Sequence, residues 1–204
     1  MVNQDATFRT AVVLAVLAVL PVTLYHRLRS QATGEKLDRR QEGLFILATL
    51  RPVGVAHMLG VFAYMVNPAW MAWSSVPLPS WLRWTGGFVC VPASGLLIWT
   101  LRGLGMNLTD TVVTRRGHTL ITQGAYRWVR HPFYVAVALL IGAISLMAAN
   151  GFLLLTGGLV LLLIVVRTRK EEENLVARFG DAYRAYMTET GRFLPKMRTD
   201  RRGA

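Results

Sequence analysis

Long stretches of apolar residues recur five times along the chain and form its dominant pattern. They lie roughly at 8–25, 44–66, 82–101, 133–149 and 151–166. Hydrocarbon offers no hydrogen-bond partners to backbone groups, so only helices or closed barrels cross a membrane. The pattern therefore predicts an all-α integral membrane bundle of about five transmembrane helices, in a single membrane domain that covers residues 1–204.

The fourth and fifth stretches predict a tight helical hairpin. They are joined by Asn150-Gly151, a strong turn dipeptide. Both stretches are short for a bilayer about 30 Å thick, so the tip of the hairpin is expected to be recessed or the membrane locally thin. Small residues let two helix backbones approach closely, and the candidates are Gly142, Gly151, Gly157 and Gly158.

After the fifth stretch, residues 171–187 predict a separate amphipathic helix at the cytosolic surface. An apolar stripe recurs there at intervals of four, four and three, as a helix requires, and consists of Leu175, Phe179, Tyr183 and Tyr186. At about 100° per residue, Glu172 falls on that stripe, while Glu171 and Glu173 fall on its flanks. A carboxylate on a buried face needs a partner or a ligand, so Glu172 is predicted to point inward.

Composition and charge fit a membrane protein with a defined orientation. The chain is 53% hydrophobic and 17% charged, with a net charge of +12. Of the 23 basic residues, five fall in 26–43, five in 102–132 and ten after Val166. The positive-inside rule places those three regions in the cytosol and the N-terminus outside, most simply in a bacterial inner membrane. The excess of basic residues is thus explained by topology, and we expect no nucleic-acid partner.

The sequence offers little support for a metal site, a disulfide or a dinucleotide fold. Cys90 is the one cysteine, and none of the four histidines has metal-ligand spacing to another. Gly103-Leu104-Gly105 follows a membrane helix rather than a strand, and position 108 is leucine, so the dinucleotide fingerprint fails. We therefore expect any cofactor to be held by loops and helix ends at the membrane surface, without a metal.

The most informative polar residues lie at the two open ends of the predicted hairpin. Pro132 suits the first turn of the fourth helix, which puts Arg130 and His131 at a helix N-terminus that attracts anions. Glu171 and Glu172 follow the fifth helix, on the same face of the membrane. A cationic and an anionic segment that meet in this way would match a zwitterionic amino-acid group.

These residues, in this order, resemble the C-terminal core of the isoprenylcysteine carboxyl methyltransferase family, which related phospholipid methyltransferases share. The matching segments are Arg130-His131-Pro132-Phe133-Tyr134, Glu171-Glu172, Phe179-Gly180, Tyr183-x-x-Tyr186 and Arg192-Phe193-Leu194-Pro195. The resemblance covers roughly residues 95–195 and implies the cofactor-binding core. Residues 1–80 match least, and they would form variable N-terminal spans that shape the choice of acceptor.

The resemblance implies an enzyme that transfers a methyl group from S-adenosyl-L-methionine to a hydrophobic or lipid acceptor within the membrane. It implies the carboxylate of a prenylcysteine-like compound as acceptor, with a phospholipid amine or a small thiol as alternatives. The implied cofactor-binding residues are Tyr126, Arg130, His131, Pro132, Tyr134, Glu171, Glu172 and Tyr183.

Methyl transfer itself needs mainly alignment of the reactants and exclusion of water. A carboxylate acceptor is already deprotonated, so it needs a cation to orient it rather than a base, and the candidates are Arg51, Arg127 and Arg192. An amine or thiol would need proton removal, for which Glu172 or His131 are available. An NADPH-dependent, sterol-reductase-like enzyme and a non-catalytic scaffold remain as other classes.

Several of these residues also have purely structural roles that the sequence leaves open. Arg130 would satisfy the positive-inside rule, His131 would cap the fourth helix, and Arg51 would extend its side chain to the interface. Glu171 and Glu173 are expected to be solvated partners of nearby basic residues rather than ligands, the basic residues being Arg167, Arg169 and Lys170.

Overall fold

The computed structural model describes residues 4–32, 44–105 and 119–196, and most of these residues are helical, with no β-strand among them. Six α-helices follow one another: α1 Gln4–Gln31, α2 Leu44–Val66, α3 Ser80–Leu104, α4 Pro132–Ala148, α5 Gly151–Phe179 and α6 Asp181–Glu189. Two short 3-10 helices, Pro68–Ser74 and Gly124–Arg127, lie between α2 and α3 and before α4.

The apolar helices confirm the predicted integral membrane bundle. Four helices in the described part of the chain are long and apolar enough to cross a membrane, namely α1, α2 from Ala48, α3 and α5. The fifth, α4, is apolar but has 17 residues, which is about 25 Å at the usual rise of about 1.5 Å per residue. It is thus the short member of the bundle, as the length of its apolar stretch predicts.

Successive helices alternate in direction across the bundle. Asp5 near the start of α1 pairs with Arg83 near the start of α3, at 2.7 Å. Arg83 also donates to the carbonyl of Met147 at the end of α4, at 3.0 Å. These ends share one face of the bundle with the α4–α5 turn, and we call it the tip face. The opposite face, where α4 begins and α5 ends, is called the open face.

Two arginines on the tip face hold the C-terminal ends of two helices. Arg9 donates to the carbonyls of Met65 and Val66 at the end of α2, at 2.8 and 2.6 Å. Arg83 does the same at Met147 and is itself buried. The last carbonyls of a helix lack intrahelical partners and carry partial negative charge, so a guanidinium there satisfies both needs. This role explains two basic residues that lie apart from the basic face predicted from the sequence.

The α4–α5 turn forms where predicted, although with a different residue at its bend. Ala149 adopts the left-handed conformation at φ 48°, and Asn150 is extended. The Asn150 side chain accepts from the amide of Leu153 at 3.1 Å, so it caps α5. It also donates to the carbonyl of Met71 at 2.9 Å, which fixes the 3-10 helix Pro68–Ser74 over the hairpin tip.

Only part of the predicted glycine packing in the hairpin is found. A Cβ on Gly157 would collide with Ile141 of α4, so this position does require glycine. Gly142 and Gly158 face open space, and the prediction that they bring the two helices together is wrong. A Cβ at either position would have no atom within 4 Å, so the contact between the two helices does not depend on these glycines.

A polar contact inside the bundle joins α2 to α5. The Nδ1 atom of His57 lies 3.0 Å from the hydroxyl of Thr156, and both side chains are buried. The missing Cβ atoms of Gly60 and Gly157 leave room for this close approach of the two helices. His57 therefore acts in helix packing.

A separate helix does follow the hairpin, as α6 Asp181–Glu189, but the predicted bounds of 171–187 are wrong. α5 runs without a break from the tip face to Phe179, and the chain turns at Gly180, which has φ 55°. No proline or glycine lies between Gly158 and Gly180, so the helix continues where the sequence changes from apolar to charged. The prediction that the stripe faces the interior is confirmed for Glu172 and Tyr183, which are both buried.

Candidate active site

A cluster of charged side chains occupies the open face, where the start of α4 meets the last turns of α5. At its centre is Glu172, which is 4% exposed. The Nε of Arg130 lies 2.8 Å from Glu172 Oε1, and the Nε2 of His131 lies 3.3 Å from the same oxygen. The guanidinium of Arg192 pairs with the other carboxylate oxygen. The cationic and anionic segments predicted from the sequence therefore meet.

Arg130 joins three parts of the structure through one guanidinium. Its side chain is 8% exposed. Besides Glu172 of α5, it donates to the carbonyls of Met187 and Thr190 at the end of α6. These are again helix-terminal carbonyls, for which a cation is the natural partner. The arginine thus connects α4, α5 and α6. It does more than satisfy the positive-inside rule.

The residues after α6 fold back along the start of α4 and complete the cluster. We call residues 190–196 the strap. The amide of Arg130 donates to the carbonyl of Gly191 at 2.9 Å, and that of His131 to the carbonyl of Arg192 at 3.1 Å. A Cβ on Gly191 would collide with the carbonyl oxygen of Leu194, so the strap needs glycine at this bend. The strap then delivers the Arg192 side chain to Glu172.

His131 packs against two aromatic rings. Its imidazole stacks on Tyr134 with ring centroids 5.6 Å apart and planes 13° apart, and Phe193 of the strap lies 5.9 Å away on a tilted plane. The residue stands at the N-cap position of α4, but its side chain makes no capping hydrogen bond. Its contacts are instead those of a ring held in place beside a carboxylate.

The three consecutive glutamates have different environments. Glu171 accepts a hydrogen bond from the hydroxyl of Tyr134 at 2.7 Å and is half-buried. Glu173 is exposed and pairs with Lys170 at 3.1 Å. The expectation of solvated glutamates is therefore confirmed for Glu173 and wrong for Glu171, which belongs to the cluster. The reason is that Tyr134, one turn into α4, reaches across the hairpin.

Three tyrosines form an aromatic wall beside the charges. The hydroxyl of Tyr186 donates to the carbonyl of Tyr126 at 2.6 Å, which ties α6 to the 3-10 helix Gly124–Arg127. Burial raises the pKa of Tyr186 to about 12, and burial also raises the pKa of Tyr126 and Tyr183. All three are thus neutral phenols near neutral pH, with apolar rings that exclude water.

The three arginines predicted to orient an acceptor lie in different places. Arg192 is in the cluster, and its side chain is 36% exposed. Arg127 is exposed on the 3-10 helix, with its guanidinium carbon 5.9 Å from the ring centroid of Trp128. Arg51 is exposed on α2. Of the three, Arg192 is the one with a contact to Glu172.

Charge balance suggests what the cluster can bind. Two guanidiniums face the carboxylate of Glu172, so one net positive charge remains when His131 is neutral. The adjacent Glu171 accepts a hydrogen bond from the hydroxyl of Tyr134 and adds a second carboxylate to the cluster. A ligand with both a carboxylate and a cationic group suits this donor set. Among the described residues, no group of three metal-ligating side chains is present.

The sequence did not identify every residue that builds the cluster. Thr190 and Met187 contribute backbone carbonyls to Arg130, and Phe193 contributes its ring to His131. A backbone carbonyl leaves no signal in the residue type, so the first two were beyond prediction. Phe193 was part of a matching segment, but nothing local shows that the strap returns to α4.

Comparisons with known proteins show which family part of the chain resembles. Residues 86–177 match the model of the isoprenylcysteine carboxyl methyltransferase family. The human protein named protein-S-isoprenylcysteine O-methyltransferase is 29% identical over 126 residues, which are 60% of this chain. The aligned part is 44% of the human protein, so the chain spans less than half of that relative.

A solved structure described as the eukaryotic intramembrane Ras methyltransferase ICMT also matches. It has 20% sequence identity and a TM-score of 0.49, over 91% of this chain and 67% of that one. The family match confirms the resemblance predicted from the sequence over residues 95–177 of the predicted core of 95–195.

Proposed function

We propose that this chain, whose residues 86–177 match the model of the isoprenylcysteine carboxyl methyltransferase family, transfers a methyl group from S-adenosyl-L-methionine to a hydrophobic acceptor in the membrane. The observation that carries the proposal is the meeting of Arg130, His131 and Arg192 on the buried carboxylate of Glu172. Buried charges of this kind are costly, and they gather where a protein binds or transforms a ligand.

The residues present fit the amino-acid part of S-adenosyl-L-methionine. The excess positive charge of Arg192 suits its carboxylate, and Glu171 with Tyr134 suits its ammonium group. The cofactor supplies a methyl group activated by a sulfonium. In this proposal Glu172 positions the two arginines and His131, while Pro132 begins α4 so that Arg130 and His131 lie at the helix end.

Aromatic side chains around the cluster would hold the less polar parts of the ligand and exclude water. The rings of Tyr126 and Tyr183 are buried beside it. His131 is held flat against Tyr134, with Phe193 tilted beside it. A fixed, water-poor pocket favours methyl transfer, since the step depends on alignment of the reacting atoms.

For the acceptor, we propose the carboxylate of a prenylcysteine-like compound. The name of the human relative supports this choice. The carboxylate of Glu172 also receives hydrogen bonds from three cationic or polarised donors, which leaves it poorly suited to remove a proton from an amine or thiol. Arg192, half-exposed at the cluster, is the favoured residue to orient the acceptor, with Arg127 and Arg51 as the further candidates.

We also propose that the open face lies in the cytosol. The basic residues that the structure describes in 102–105, 119–132 and 167–196 adjoin this face, as the positive-inside rule requires. Reporter fusions after residues 32 and 196 should both report a cytosolic position. A fusion that reports the opposite side at residue 196 would overturn the orientation.

The function is tested by transfer of a labelled methyl group with the purified full-length protein in lipid nanodiscs. The acceptors are a prenylcysteine, phosphatidylethanolamine, a long-chain fatty acid and a hydrophobic thiol, each with labelled S-adenosyl-L-methionine. We expect label in the prenylcysteine, in a base-labile form typical of a methyl ester. Label in the amine or the thiol instead would replace the proposed acceptor.

The cofactor is tested separately from the acceptor. S-Adenosylhomocysteine should bind the wild-type protein, and NADPH should not. Binding of NADPH alone would favour the reductase class, and binding of neither would favour a non-catalytic scaffold. A matched variant pair, Glu172→Gln and Glu173→Gln, relates the binding to the cluster, because Glu173 is an exposed neighbour paired with Lys170.

A further inference from the structure

A second group of side chains on the open face has the chemistry of a lipid-binding site. Trp99 near the end of α3 is 50% exposed, and Trp128 after the 3-10 helix Gly124–Arg127 is 58% exposed. Arg102 and Arg127 are exposed in the same two segments. We call these four residues the Trp–Arg patch. It takes no part in the Glu172 cluster.

The two halves of the patch are brought together by close packing. Gly124 has φ 62°, and a Cβ added there would lie 3.4 Å from the indole nitrogen of Trp99. Gly103 faces the ring of Tyr126 in the same way, at 3.9 Å. The 3-10 helix therefore lies directly against the end of α3. Trp99 and Arg102, three residues apart, share one side of that helix end.

The guanidinium groups of the patch are available to an external anion. Neither Arg102 nor Arg127 has a carboxylate partner within residues 4–32, 44–105 and 119–196. Arg127 leans toward its neighbour Trp128. A buried cation usually has its partner inside the protein, whereas these two are exposed at the end of a membrane span.

The tip face provides a contrast within the same molecule. Four exposed tryptophans lie there, namely Trp70, Trp73, Trp81 and Trp84. The arginines of that face, Arg9 and Arg83, are engaged by helix-terminal carbonyls. Indoles alone therefore serve as interfacial anchors on the tip face. On the open face the indoles lie beside exposed guanidiniums, so a ligand that binds there should carry negative charge.

We propose that the Trp–Arg patch binds the phosphate headgroup of an anionic phospholipid in the leaflet at the open face. Indole rings at the ends of membrane spans lie at the depth of the headgroups. Guanidiniums at that depth attract anionic lipid and bind a phosphate through paired N–H donors. This inference is independent of methyl transfer, and it gives Arg127 a role other than orienting the acceptor.

Lipid retention by the full-length protein tests the proposal. The protein, purified in non-ionic detergent, is titrated with phosphatidylglycerol or phosphatidylcholine, and bound lipid is counted by native mass spectrometry. The patch variant R102Q/R127Q should bind phosphatidylglycerol about tenfold more weakly than the wild type. The control K170Q/R184Q removes the same charge from two exposed residues paired with Glu173 and Asp181, and it should change binding less than twofold.

Two further measurements separate a lipid site from a general attraction between charges. R102K/R127K keeps the charge and should retain most of the phosphatidylglycerol binding, and circular dichroism checks that each variant remains helical. Inorganic phosphate at equal concentration should not displace the lipid. Equal loss in the patch variant and the control would overturn the proposal, since binding would then depend on total charge. Displacement by inorganic phosphate would also overturn it, because the site would not require a lipid.

Discussion

The Nε of Arg130 lies 2.8 Å from a carboxylate oxygen of Glu172, although 42 positions separate the two residues in the chain. The contact closes the open end of the α4–α5 hairpin. Because Arg130 also holds the carbonyls of Met187 and Thr190, the same guanidinium fixes α6 and the strap. The polar cluster therefore holds α6 and the strap against the α4–α5 hairpin, and it is also the proposed ligand site.

Replacement of Arg130 should destabilise the protein much more than replacement of Arg192. Arg130→Gln leaves the buried Glu172 with weaker compensation and frees two helix-terminal carbonyls, at a cost of about 3–5 kcal/mol, typical of a broken buried ion pair. Arg192→Gln removes a half-exposed partner while Arg130 and His131 remain, so its cost is about 1 kcal/mol. Thermal unfolding in detergent measures both. Equal losses would contradict the distinct roles of the two arginines.

Gly191→Ala should abolish most of the activity without unfolding the bundle. The added Cβ would collide with the Leu194 carbonyl, which displaces Arg192 and Phe193 from the cluster. We expect at least a tenfold loss of methyl transfer, with unchanged helical content by circular dichroism. Gly142→Ala is the matched control, because its Cβ meets open space. That variant should keep its activity within twofold and gain about 0.5–1 kcal/mol in stability.

Tyr186→Phe tests the contact between α6 and the 3-10 helix. Loss of the hydroxyl leaves the carbonyl of Tyr126 without this donor, which costs about 1–2 kcal/mol in the free energy of unfolding. Chemical denaturation in detergent measures the difference. Tyr25→Phe, at an exposed residue of α1, is the control and should change stability little.

The same tyrosine predicts a pH dependence. Burial raises the pKa of Tyr186 from 10.0 to about 12. Below pH 10 the phenol is protonated in both the folded and the unfolded chain, so its contribution to stability is complete. From pH 10 to about 12 it ionises more readily in the unfolded chain, and the contribution is lost. The stability advantage of the wild type over Tyr186→Phe should therefore decline across this range. An advantage that grows above pH 10 would contradict the assignment.

Long apolar runs were sufficient to predict the membrane helices, and the stripe of residues 175–186 was sufficient to predict the orientation of Glu172. Glu172 was predicted to point inward by counting from Tyr183 and its stripe, and its burial confirms this. α2 has the predicted bounds of 44–66, because a long apolar run defines both ends. α5 was predicted too short, since the change from apolar to charged residues after Val166 marks the end of the apolar run rather than the end of the helix.

Contacts between the strap and the start of α4 could not be predicted from the sequence as well. The pairing of Val129 with Gly191 is a backbone contact between distant segments, and it determines where Arg192 and Phe193 lie. Residue types at those positions do not encode the pairing. The family resemblance brought Arg192 into the set of candidates, but its choice over Arg51 and Arg127 depended on the position of the strap.

The most direct test of the account is the binding of S-adenosylhomocysteine to Glu172→Gln, measured by isothermal titration calorimetry on the purified full-length protein. Glutamine keeps the shape of the side chain but removes the charge that holds Arg130, His131 and Arg192 together. We expect at least a hundredfold loss of affinity in this variant, with wild-type affinity in Glu173→Gln. Unchanged affinity in a folded Glu172→Gln protein would contradict the assignment of the cluster as the cofactor site.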